Sequence, residues 1–192
     1  MKRISMKYTP SINIAQTAFN PQSYIVTQNA KSVVGNIVDS FNAGVHSFNI
    51  IGSYGTGKSN FILALEDSLK NNSRILIANK GQFNGFARFR FEKIVGDYAS
   101  LQKILTEHLF RTEVSDNLFE NLKRYFKKAE QREEFVIFVI DEFGKLLSMQ
   151  PRIILKESCI YFKSLQNLSM MNAAMPSCLQ PYIRTLIRML VH

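Results

Sequence analysis

No run of about 18 consecutive apolar residues occurs in the chain, so the sequence offers no membrane span. Its opening stretch, MKRISMKYTPSINIAQ, is basic but lacks the continuous apolar core that a signal peptide needs. Cysteine is scarce: Cys159 and Cys178 are the two, without metal-ligand spacing and without a histidine partner nearby. A reducing cytoplasm is therefore the expected compartment. Zinc-finger, helix-turn-helix and RNA-binding signatures are missing, as are internal repeats and low-complexity segments.

What the sequence does contain is globular. Its 192 residues are 46% hydrophobic and include 15 Phe, enough to build one domain with a sizeable core. The formal net charge of +9 points towards an anionic partner. The basic residues are scattered, however, and KRYFKKAEQREE alternates in sign as a solvated helix face does. Nucleic acid stays open as a partner, with no motif to support it.

Periodicity divides the chain into three parts: an irregular linker over 1–30, a core over 31–147 and an atypical tail over 148–192. NAKSVVGNIVDSFNAG reads as a helix with Val33, Val34, Ile37 and Phe41 on one side and Gly44 as its stop. HSFNIIG reads as a short buried strand, KSNFILALEDSLKNN as a helix and SRILIAN as a second strand. ARFRFEKIVG alternates, so it is expected half-buried or near a sheet edge. Two helical stretches follow, YASLQKILTEHLF and SDNLFENLKRYFKKAEQ. EFVIFVID is the most hydrophobic run and is expected as a central parallel strand. Strands alternating with helices predict an α/β sandwich with a mostly parallel sheet.

The first of these strands runs straight into GSYGTGKS, which fits G-x-x-x-x-G-K-[ST] from Gly52 to Ser59. Gly52, Gly55 and Gly57 let the backbone wrap, so that the N–H groups of Ser53, Tyr54, Thr56 and their neighbours can point at phosphate oxygens. The helix beginning near Lys58 adds its positive dipole end. Lys58 is expected to reach the β- and γ-phosphates and the Ser59 hydroxyl to ligate Mg²⁺.

VIFVIDEF then ends a buried strand on two carboxylates, Asp141 and Glu142. An unpaired carboxylate there is costly to desolvate, and a Mg²⁺ ion held by Asp141 resolves the cost. Glu142, one residue on, is suited to orienting and deprotonating an attacking water. The bland alternative is a helix N-cap Asp141 with a solvated neighbour, since EFGKLL can start a helix.

Together GSYGTGKS and FVIFVIDE resemble the P-loop ATPases of the AAA+ and related groups, in which the magnesium-binding Asp is followed by a catalytic Glu. The resemblance implies a three-layer sandwich with ATP and Mg²⁺ as ligands. It implies that the loop residues contact nucleotide, that Lys58 and Glu142 are catalytic, and that Ser59 and Asp141 hold the metal. SYIVT resembles the linker that packs on adenine in such proteins, which makes Tyr24 and Ile25 candidates. More narrowly, HSFNIIGSYGTGKSNFILALE with IDEFGK resembles the N-terminal part of large bacterial ATP-binding proteins associated with mobile islands or phage defence. Protein partners or assembly with further copies follow as open expectations. A GTPase is disfavoured, because NKGQ at Asn79–Gln82 has Gln82 where a guanine-reading Asp would stand. A small-molecule kinase would need lid arginines, for which the tail offers Arg184 and Arg188.

From Ser148 the composition changes: the tail holds five of seven Met, both Cys and one of 15 Phe, with no Gly or Asp. One explanation is a peripheral, helix-rich end. The other is a reading-frame slip after Leu147, because codons can be chosen for the tail such that a neighbouring frame spells an amphipathic helix and then an apolar strand ending in polar residues. A slipped chain is expected to lack the native sensor strand, the last core strand and the arginine finger of AAA+ proteins, leaving the domain incomplete at its C-terminus.

Overall fold

The computed structural model describes residues 13–77, 80–83, 85–111, 118–148 and 187–191. After a short 3₁₀ turn at Pro21–Ser23, α1 spans Gln28–Asn42. Thr27 caps α1, its hydroxyl accepting from the Ala30 amide at 3.1 Å, and so satisfies one of the free donors of the first turn. Ala30, Val34, Ile37 and Phe41 recur at helical spacing and are buried.

Four parallel strands form one sheet in the order β1-β4-β3-β2, where β1 is Ser47–Ile50, β2 is Arg88–Val95, β3 is Glu134–Asp141 and β4 is Ile187–Val191. β1 leads into α2, Lys58–Lys70. Between β2 and β3 run α3, Leu101–Phe110, and α4, Leu118–Gln131, which supply the crossover that a parallel pair requires. The short α5, Phe143–Ser148, follows β3. Mixed α/β architecture with a small parallel sheet is thus the observed class. Among the described residues no helix is long and apolar enough to cross a membrane.

Alternation along β3 separates two apolar clusters. Phe135, Ile137 and Val139 join residues of α1 and α2 together with Phe89 and Phe91. Val136, Phe138 and Ile140 join Ile94, residues of α3 and α4, and Phe143. Successive strand side chains point to opposite faces. The strand is therefore apolar throughout because both of its faces are covered.

Two expected strands differ from what is observed. SRILIAN does not form a strand in its described part. Asn72 and Arg74 take left-handed backbone angles, φ +59° and +58°, which bend the chain out of extended geometry. The Leu76 amide donates to Ser68 Oγ at 3.0 Å, and Ser68 in turn donates to the Ala64 carbonyl at 2.8 Å, so α2 satisfies this backbone instead of a sheet. HSFNIIG does form β1, but as a half-exposed strand, because among the described strands it lies at the sheet edge with β4 as its neighbour. The tail contributes Ser148 to α5 and β4 between β1 and β3, and its other residues, Arg184 among them, lie outside the described set.

Candidate functional site

The link from β1 to α2 is an exposed turn over 51–57, with Ile51 at 78% and Tyr54 at 81% exposure. Gly55 and Gly57 hold φ of +79° and +84°, a region that side chains with a Cβ rarely enter. Gly52 is used for close approach: a Cβ there would meet Thr56 Oγ1 at 3.0 Å. The loop closes on its own carbonyls. Thr56 Oγ1 donates to Ser53 O at 2.8 Å, and Lys58 Nζ donates to Gly52 O at 2.8 Å and Ser53 O at 3.0 Å. Gly57 offers no side-chain cap to α2, so the first-turn amides of that helix lack this internal partner.

Asp141 is the last residue of β3 and is half-buried. One carboxylate oxygen, Oδ2, accepts from Ser59 Oγ at 3.3 Å; the other, Oδ1, accepts from the Glu142 amide at 2.9 Å. One oxygen thus serves the turn into α5 and the other faces the loop helix; Glu142, and not Asp141, is the residue that immediately precedes α5. Burial pushes the Asp141 carboxyl above its ordinary range, and the bonds from Glu142 and Ser59 and the charge of Lys58 only partly oppose it. A carboxylate left undercompensated in this way suits a cation. Among the described residues no group of three or more His, Cys, Asp or Glu gathers as a metal site. Ser59 and Asp141 are the residues that could hold Mg²⁺, an ion that usually keeps waters and phosphate oxygens as its remaining ligands.

Glu142 is exposed and left-handed, φ +53°. Its Oε2 forms an ion pair with Lys145 one turn on, and that bond pushes the Lys145 ammonium upward. Behind the pair lies Gly96, whose amide donates to Asp141 O at 2.7 Å. A Cβ on Gly96 would fall 2.5 Å from Glu142 O and 3.0 Å from Asp141 O. Sequence reading overlooked both Gly96 and Lys145. The available signal for Gly96 was a glycine just after Val95, the residue in register with Asp141.

The structure therefore brings Lys58, Ser59, Asp141 and Glu142 to one end of the sheet. Tyr24 is half-buried with its ring 5.9 Å from that of Phe19, and burial pushes its hydroxyl up. Ile25 is 77% exposed. Of the NKGQ residues, Lys80–Gln82 form a 3₁₀ turn and Asn79 lies outside the described residues. Arg188 falls on β4. No protein family, curated protein or solved structure matches the chain.

Proposed function

We propose that this domain binds Mg²⁺-ATP and hydrolyses it, as a three-layer P-loop ATPase of the AAA+-like type. The observation that carries the reading is the contact of Ser59 with Asp141, which joins the loop helix to the acidic strand end across 82 positions of sequence. Two apolar clusters on opposite sides of β3 support the three-layer arrangement.

In this reading the loop amides and the start of α2 surround the triphosphate. Lys58 exchanges its bonds to Gly52 O and Ser53 O for the β- and γ-phosphate oxygens, so its charge is already at the loop before nucleotide arrives. Mg²⁺, held through Ser59 and Asp141, supplies further positive charge to the phosphates. Glu142 aligns a water for in-line attack on the γ-phosphorus and takes up its proton, which requires its carboxylate to leave Lys145. The leaving ADP oxygen takes the broken bond's electron pair.

The Glu142–Lys145 pair also favours a second reading, a nucleotide switch that binds without turnover. Fluorescent ATP-analogue binding and phosphate release separate the two. Binding should be lost in Lys58→Ala under either reading. For the ATPase, Glu142→Gln should retain binding and lower phosphate release by about 100-fold or more, the scale of general-base catalysis. Binding without phosphate release in the wild type favours the switch. Binding that survives Lys58→Ala undiminished overturns both.

A further inference from the structure

We propose that the outward face of α4 is a docking surface for duplex nucleic acid, gripping the sugar–phosphate backbone without reading sequence. Leu118, Leu122 and Ala129 are buried, with Tyr125 and Phe126 half-buried beside them, so the apolar side of the helix is spent on the sheet. Lys123, Arg124, Lys127 and Lys128 are all exposed on the other side. Arg132, just past the helix, is exposed too, and its carbonyl accepts from Arg88 Nη1 at 3.1 Å, which brings a sixth cation to that end. The carboxylates near the face lie at its ends: Glu120, paired with Lys123 at 2.9 Å, then Glu130 and Glu133.

Helix stability accounts for part of this pattern, since Glu120 in the first turn and Lys128 in the last complement the helix dipole. It does not account for Lys123 with Lys127 or Arg124 with Lys128, like-charged pairs at i,i+4, a spacing that destabilises a helix. Among the described residues, Arg124, Lys127 and Lys128 have no carboxylate at ion-pair distance. The cluster does not serve the nucleotide either. α4 feeds the Glu134 end of β3, and Asp141 lies at the other end, roughly 23 Å away for a strand of this length.

The partner's class follows from what the face omits. Among its described side chains none is both apolar and exposed, as a protein interface core or a membrane-lying helix would need. None is an exposed aromatic, on which single-stranded bases would stack. Gln131 is its one exposed uncharged polar residue, too little to read base edges. A regular row of phosphates fits the exposed cations of this face, bound by counterion release.

The proposal is independent of the nucleotide reading, and fluorescence anisotropy tests it with the full chain and a labelled 20-base-pair duplex over a range of KCl. Arg124→Gln/Lys127→Gln/Lys128→Gln should weaken binding at least tenfold at low salt. It should also flatten the log–log salt slope by about 2.7, or about 0.9 for each phosphate that is no longer neutralised. Circular dichroism should show the helices retained, and ATP-analogue binding should not change. Lys31→Gln/Lys70→Gln/Lys103→Gln removes the same charge elsewhere and should weaken duplex binding less than threefold. Lys58→Ala should leave it unchanged. Equal losses in the two triple variants, no duplex binding by the wild type, or tighter binding to single strands, phosphatidylserine vesicles or polyglutamate would overturn the proposal.

Discussion

Gly96 and Glu142 meet so closely that the Glu142 carbonyl oxygen lies 2.5 Å from where a Cβ on Gly96 would stand. The neighbour is backbone and belongs to the turn that carries Asp141, so a side chain at 96 must displace the acidic strand end. Gly96→Ala should destabilise the fold by about 1–3 kcal/mol, as overpacking does, with a lower urea midpoint and weaker nucleotide binding. An unchanged midpoint would mean that the turn yields freely.

Asp141→Asn should separate stability from function. The Asp141 carboxyl is raised in the folded chain chiefly by burial, so the folded state holds its proton more tightly than the unfolded one. Stability is then lost as pH rises from about 3.9, the unfolded value, through the raised folded value. Asparagine escapes that loss and can still accept from Ser59. The nucleotide-free variant should melt higher than wild type at pH 7, and the difference should disappear below about pH 3.9. Binding of ATP analogue should cease to respond to Mg²⁺ in the same variant.

Glu92 predicts the opposite slope. Burial alone would raise its carboxyl, but bonds from His108 (3.1 Å), Tyr125 (2.6 Å) and Arg90 (2.8 Å), with the guanidinium charge, overcome burial and hold it at about 2. A depressed folded value contributes stability above the unfolded value, and that contribution is lost as pH falls from the ordinary 4.5 towards 2. Glu92→Gln should lower stability at pH 7 by on the order of 1–2 kcal/mol after solvent screening. It should also flatten the acid limb of a melting-temperature profile. A parallel limb in the variant would place the acid sensitivity elsewhere.

Phe135 is fully buried, and its ring meets Phe86, Phe41 and Phe89 at centroid distances of 4.6, 5.3 and 5.7 Å. Phe135→Ala should cost about 3–5 kcal/mol in urea denaturation. A smaller loss would show that the ring cluster collapses into the space.

Legibility followed how far each signal is local. The β3 run and the α1 stripe were readable because continuous burial and i,i+4 spacing are written in adjacent residues: Phe135–Ile140 in one case, Val34, Ile37 and Phe41 in the other. The loop glycines were readable for the same reason. Burial of β1 was not, since it depends on which strands flank it in the sheet. SRILIAN misled because apolar β-formers also fill a bent segment when a helix hydroxyl, here Ser68, takes its amide. The Glu142–Lys145 pair lay within three residues, yet the spacing alone did not show that the two side chains turn towards each other.

Among the described strands β1 pairs with β4 alone, so Ser47 is paired with Arg188 from far down the chain. During synthesis, α1 and α2 can emerge and curl long before the residues that anchor the strand between them have left the ribosome. Pairings of such long sequence separation form late and slowly. The strand that leads into the glycine loop should accordingly be anchored as one of the last events of maturation.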